Sequence, residues 1–255
     1  MAGPITKLRQ VNPSRRSGPL DNRLLGALPD ADYARLRPDL ESIELPLGSV
    51  LYEPGGHLPH VYFPTSAIVS LLYVMKDGDS AEIAVVGNDG LVGMSLYLGG
   101  GTTPSRAVVQ NAGLAYRIKV TPFLAEFERH GQMELLLLRY TQALLTQMVQ
   151  TAACNRHHAI DQQFCRWLLL SLDRLSSNEL TMTEKLIANM LGLGVAEVVA
   201  LADELQALGL LTHKGGRIRV MDRAALENKS CECYGVVKAE TDRLLPQRDT
   251  LATVA

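Results

Sequence analysis

The chain has little cysteine: four residues in 255, none of them before Cys154. So sparse a set does not make a disulfide framework. It also lacks an excess of charge of one sign. Twenty-five Lys and Arg stand against 27 Asp and Glu, a net charge of −2, so the chain as a whole carries no electrostatic signature of nucleic-acid binding. No apolar run approaches the roughly 18 residues that a membrane span needs. The N-terminal MAGPITKLRQVNPSRRSGP has no apolar core of a secretory signal. These absences read as a soluble cytoplasmic protein without a membrane partner. No nucleophile is paired with a base, so no catalytic residues are assigned and no enzyme is expected. One further absence is local. Between Gly192 and Leu211 there is no Lys, Arg, Asn or Ser.

Apolar residues make up 47% of the chain, ample for a folded core. Residues 1–21 are rich in Pro, Gly, Ser and Arg, with Lys7, Arg9, Arg15 and Arg16 preceding the first acid, Asp21. They read as a disordered basic tail, either merely solvated or a DNA-contacting arm. From about 43 to 121 short strands are cut by turn signals: Gly48, Pro54-Gly55-Gly56, Asp77-Gly78, Asn88-Asp89-Gly90, Gly99-Gly100-Gly101 and Ala112-Gly113. Many short, evenly punctuated strands mean a sandwich or barrel.

After Pro122 the pattern turns helical, with no Pro or Gly from Gln132 to Leu175. Leu135, Leu138, Gln142, Leu145, Val149 and Ala152 recur at three- and four-residue steps on one face. Leu136, Leu137, Leu144 and Met148 lie on others. A long helix with two apolar faces packs one on its own domain and offers the other as a dimer seam. Beyond it come three short helical segments and a hairpin. Thr183 has the position of an N-cap, and Gly192 that of a helix-ending turn. Gly215-Gly216 sits between LLTHK and RIRVMD. Helix, tight turn, helix and hairpin make a winged helix-turn-helix.

This order of parts resembles the cyclic-AMP receptor protein/FNR superfamily of bacterial transcription regulators. The resemblance spans about residues 22–238. It is carried by GNDGLVGMSLYLGGGTTPSRAVVQNAG, QTAACNRHHAIDQQFCRWLLLSLDR, TEKLIANMLG, ELQALGLL and AALENKSCECY. It implies an α+β fold: an N-terminal β-roll (jelly-roll, cyclic-nucleotide-binding-like), a long dimerisation helix and a C-terminal winged helix-turn-helix. The expected division is a tail at 1–21, the effector-sensing roll at 22–128, the dimerisation helix at 129–160, the winged helix-turn-helix at 161–238 and a C-terminal tail at 239–255. The implied mechanism is a two-state homodimer. An effector in the roll changes how two long helices pack and so repositions two recognition helices, which must sit about 34 Å apart.

The effector pocket implied by the resemblance comprises Gly93, Met94, Ser95, Ser105 and Arg106. Met94 stands where nucleotide-binding members have a carboxylate for the ribose hydroxyl, and a thioether is a poor substitute. Arg106 falls one place later than the family's phosphate-binding Arg. One residue changes the face of a strand, so only a bulge returns it to the pocket. Cyclic AMP is therefore not expected, the effector is unknown and no cofactor is assigned. The family's iron–sulfur cluster needs N-terminal cysteines, which this chain lacks. Cys154 and His158 supply two ligands, too few for a metal, and Cys231-Glu232-Cys233 lacks the two-residue spacer of zinc motifs.

The residues expected at DNA are Thr183, Lys185, Val195, Ala196, Glu197, Ala200, Lys214 and Arg217. Val195, Ala196 and Ala200 occupy the family's base-contacting places and donate nothing to a base edge. Glu197 accepts from cytosine at best. Arg219 is read as alternating with Arg217 across the wing strand. The expected partners are double-stranded DNA, bound weakly or mostly by its backbone, a second copy of the chain, and RNA polymerase or another protein. The competing reading is a protein-interaction module that has lost sequence reading.

Overall fold

A computed structural model of the chain describes residues 18–245, so the basic residues Lys7 to Arg16 lie outside it. Two short helices open the fold, α1 (Arg23–Gly26) and α2 (Asp30–Leu36). Five strands follow: β1 (Glu41–Leu45), β2 (Val50–Tyr52), β3 (His60–Pro64), β4 (Ile68–Val74) and β5 (Ser80–Val86). A one-turn helix α3 (Met94–Tyr97) leads to β6 (Ser105–Asn111), β7 (Gly113–Lys119) and α4 (Val120–Phe127). The strands form a three-stranded sheet ordered β1-β7-β3 and a four-stranded sheet ordered β2-β6-β4-β5, with every pairing antiparallel. Asp77-Gly78 turns the β4–β5 hairpin, with Gly78 at φ +96°, a conformation open to glycine and costly to most other residues.

The inner faces of the two sheets meet in one core that includes Val69, Leu71, Ala84, Val86, Ala107, Val109, Ala115 and Ile118. The outer face of the four-stranded sheet is also buried. Its Ile68, Leu72, Val85 and Val108 belong to a second core, built with the C-terminal part of the chain.

That part begins with α5 (Gln132–His157) and α6 (Ile160–Leu172). The chain breaks between them with His158 and Ala159 both extended, and neither Gly nor Pro marks the break. The Ala159 N–H is instead capped by Gln162 Oε1 at 3.3 Å. Next come β8 (Glu179–Thr181), α7 (Glu184–Leu191), α8 (Val195–Ala207), β9 (Leu211–Lys214), β10 (Arg217–Val220), α9 (Arg223–Lys229) and α10 (Glu232–Leu244). The third sheet runs β8-β10-β9.

One face of α5 packs on the roll. Tyr140 donates to the Leu91 carbonyl at 2.8 Å. Its ring lies so close to Gly90 that a Cβ there would collide with it. The stretch from residue 239, read from the sequence as a tail, continues α10 as far as Leu244. Val237 buries in the second core, and Leu244 with Leu245 in the first. Five polar or charged residues from Lys238 to Arg243 mask this sparse apolar stripe.

Polar groups cross between the roll and α6. Gln110 accepts from Ser70 at 2.7 Å and donates to Ser171 at 2.8 Å. Arg174, just past α6, pairs with Asp89 at 2.8 Å and donates to Gln147 Oε1 at 3.1 Å. Glu82 lies in the same layer, and one of its carboxylate oxygens has no hydrogen-bond partner among the described residues. Burial pushes its carboxyl up to about 7, opposed by Ser70, the charges of Arg166 and Arg174, and Trp167. The folded state therefore holds this proton more tightly than the unfolded chain. The stability it contributes is complete below about pH 4.5 and is lost as pH rises through about 7. The loss should amount to roughly 3 kcal/mol at most. Glu82→Gln should flatten this decline when urea midpoints are compared from about pH 5 to about pH 8. Identical pH profiles for the two proteins would rule it out.

Candidate DNA interface and effector site

Thr183 caps α7, its Oγ1 accepting the Leu186 N–H at 3.3 Å. Gly192 ends that helix in the left-handed conformation, φ +67°. The chain then turns into α8, the second helix of the helix-turn-helix. Val198, Ala202 and Leu205 bury one side of α8, with Val198 and Leu205 in the second core. Ala196, Glu197 and Ala200 lie away from that side and are exposed, as is Val195 in the first turn. Thr183, Lys185, Lys214 and Arg217 are exposed as well. Lys214 and Arg217 face each other across the wing turn, where Gly215 and Gly216 both have positive φ.

Each of the three acids of α8 has a partner within the chain. Glu197 accepts the Gly194 N–H at 2.8 Å, capping its own helix. Asp203 lies 2.8 Å from His213 Nε2 on β9, and Glu204 lies 3.3 Å from Lys229 Nζ. Glu197 is thus spoken for as a cap, which weakens its expected role at cytosine. Arg219 does not alternate with Arg217 as expected. The two are two residues apart, share the exposed face of β10, and differ because Glu179 Oε2 holds Arg219 at 2.7 Å.

Of the expected effector residues, Arg106 turns away from the roll interior. Gly93, at φ +124°, precedes α3, and Met94 packs against the roll core. The α3–β6 loop folds back so that the Gly100 N–H donates to Ser95 O at 2.7 Å. Ser95 Oγ is buried without a hydrogen-bond partner among the described residues. Ser105 is on the inward side of β6 with Ala107 and Val109. Arg106 is on the other side, paired with Glu53 at 2.7 Å. Pairing with β4 is regular from Ser105 to Ala107, so no bulge returns Arg106 to the interior.

The α5 stripe divides as its spacing predicts. Leu136, Leu137, Tyr140, Ala143 and Leu144 are buried, whereas Leu135, Leu138, Gln142, Leu145, Val149 and Ala152 are all exposed. Leu138 is 49% exposed and Val149 65%, so the stripe presents apolar side chains at the surface of the single chain.

In the sequence Cys154 and His158 stand far from Cys231 and Cys233. The fold brings the two pairs together. Cys154 is on the last turn of α5 and His158 is its C-cap; Cys231 is the N-cap of α10, with Cys233 inside the helix. Their ligand atoms all lie within 4.8 Å of one another. Spacing within each pair gave no signal, because the pairs stand 77 residues apart.

Residues 42–130 match the cyclic nucleotide-binding domain and residues 162–229 the Crp-like helix-turn-helix domain, together more than half of the chain. The fold is similar to that of FixK2 from Bradyrhizobium japonicum, with TM-score 0.65 and 17% identity over 75% of this chain and 98% of that one. The c-di-GMP responsive global regulator CLP of Xanthomonas campestris aligns with TM-score 0.57 and 15% identity, over 76% of this chain and 100% of the other. A CRP/FNR-family transcriptional regulator from Thermus thermophilus gives 0.56 and 18%, over 74% and 98%. No curated protein matches the chain in sequence. No single helix among the described residues is long and apolar enough to cross a membrane. A roll and a helix-turn-helix joined by a long helix, each matching its own domain model in this order, place the chain in the Crp/Fnr family of transcription regulators, which are not enzymes.

Proposed function

We propose that the chain works as a homodimer whose roll responds to an effector other than cyclic AMP, and whose winged helix-turn-helix grips DNA mainly by phosphates. The observation that carries this reading is the exposed side of α8. Val195, Ala196 and Ala200 offer no donor to a base edge, and the acids beside them are engaged within the chain. Affinity then falls to cations. Lys185, Lys214 and Arg217 are exposed and have no ion pair among the described residues, whereas Arg219 is held by Glu179. The effector reading rests on the domain match, on Met94 in place of a carboxylate and on the outward-facing Arg106.

Three cations per half give six per dimer. With residues 1–17 removed, the logarithmic salt slope should be no steeper than about −5, from about −0.9 per phosphate contact. Discrimination among sequences should be poor. Val195→Arg with Ala200→Arg should tighten binding and create a preference for guanine-containing half-sites, each new bidentate pair contributing about 1–3 kcal/mol. The test is selection from a random duplex pool at two salt concentrations. One palindrome enriched with nanomolar affinity by the wild type would overturn the backbone-dominated reading. No binding at low salt would favour the second reading, a surface for a protein partner, to which the donor-free side of α8 is equally suited.

A further inference from the structure

We propose that Cys154, His158, Cys231 and Cys233 bind a single zinc ion that joins the end of α5 to the start of α10. Cys154 Sγ and Cys231 Sγ are 3.4 Å apart, and Cys233 Sγ and His158 Nδ1 3.6 Å. A tetrahedral zinc with Zn–S of about 2.3 Å and Zn–N of about 2.0–2.1 Å has edges of about 3.8 Å between sulfurs and about 3.6 Å from sulfur to nitrogen. The cluster is therefore already close to the size of one coordination shell. With all four atoms within 4.8 Å, it leaves no room for the several irons of an iron–sulfur cluster. Thiolates and an imidazole, with no oxygen among them, favour zinc over magnesium, calcium or manganese. Four protein ligands make the site closed, hence structural.

The surroundings fit the ion. His158 offers Nδ1 to the cluster, and its Nε2 lies 3.2 Å from the Glu232 carboxylate, the arrangement that orients a ligating histidine. The three cysteines form a buried group of their own, separate from both large cores. Three thiolates, a neutral imidazole and Zn²⁺ sum to one negative charge. Arg166 is buried, has no ion pair among the described residues, and leaves its Nε unpartnered. Its positive charge acts on both Cys154 and Cys233. A disulfide between Cys154 and Cys231 is the competing chemistry, and it leaves Cys233 and His158 without a role.

The position gives the ion a purpose. One ligand pair closes α5, just before the helix-turn-helix module, and the other opens α10, just after it. The ion would fasten the module's entry to its exit and brace the break at His158–Ala159.

The test uses the untagged, full-length protein, purified reduced and without chelator, and measures zinc by mass spectrometry. One zinc per chain is expected. Replacement by Co²⁺ should give intense thiolate-to-cobalt charge transfer and tetrahedral visible bands. Cys233→Ser should lose both signals, while Cys165→Ser, a buried cysteine outside the cluster, should keep them. Should Cys233→Ser fail to fold, Glu232→Gln serves instead, because that side chain is exposed. It should weaken Co²⁺ affinity by about 10–100-fold. A reduced, folded wild type that holds no zinc and takes up no Co²⁺ overturns the proposal. So does Co²⁺ binding undiminished in Cys233→Ser, or undiminished in Glu232→Gln. A Cys154–Cys231 disulfide in protein isolated with its native thiol state trapped also overturns it.

Discussion

Leu145→Glu is expected to turn the dimer into monomers. Leu145 is 46% exposed in the single chain and lies on the stripe with Leu138 and Val149. Losing a buried leucine costs about 2–5 kcal/mol. A two-fold interface carries the change twice, and the two introduced carboxylates would face each other across the seam. The dimer dissociation constant should rise by roughly 10³-fold or more, at about 1.4 kcal/mol per decade. Sedimentation at micromolar concentration reads this directly. The monomer itself should stay folded, because the side chain is exposed and belongs to neither core of its own chain. A fall in helix content would place Leu145 in the chain's own packing instead. A wild type already monomeric at that concentration would end the seam assignment.

Asp89→Ala is expected to cost about 3–5 kcal/mol of folding stability, since it strands a buried cation. The Arg174 and Asp89 side chains are 6% and 12% exposed. Without Asp89, Arg174 keeps, among the described residues, the Leu170 carbonyl and Gln147 Oε1 as hydrogen-bond partners. The pair borders a cavity of about 80 Å³ that also reaches Arg23 and Asp242, so water entering there sets the lower end of the range. That loss is a large part of the roughly 5–15 kcal/mol typical of a folded domain. Asp89 sits in a turn of the roll and Arg174 just past α6, so the effect should be felt between roll and DNA-binding module. Denaturant unfolding measures it. Asp89→Leu combined with Arg174→Met should recover most of the loss, because no charge is then left unpaired. A cost below about 1 kcal/mol for Asp89→Ala would mean that solvent reaches Arg174 freely.

The parts of the molecule legible in the sequence are those set by near neighbours. Gly78 and Gly192 stand where the backbone takes positive φ, and Thr183 caps the helix it precedes. The stripe from Leu135 to Ala152 is visible because helical side chains recur on one face every three or four residues. The same rule of period two should have put Arg217 and Arg219 on one face of their strand. What separates them is Glu179, some 40 residues away in sequence.

By itself, then, the sequence determined the order of roll, long helix and winged helix-turn-helix, the exposed apolar stripe of α5 and the absence of donors along α8. Each of these depends on a residue and its neighbours within a turn or a strand. Only the tertiary structure decided the rest. It buried the outer face of the four-stranded sheet under α6, engaged the acids of α8, turned Arg106 toward Glu53, and joined Cys154 and His158 to Cys231 and Cys233. These pairings depend on where the chain returns after many residues. Packing of whole elements sets that return, and no local periodicity records it.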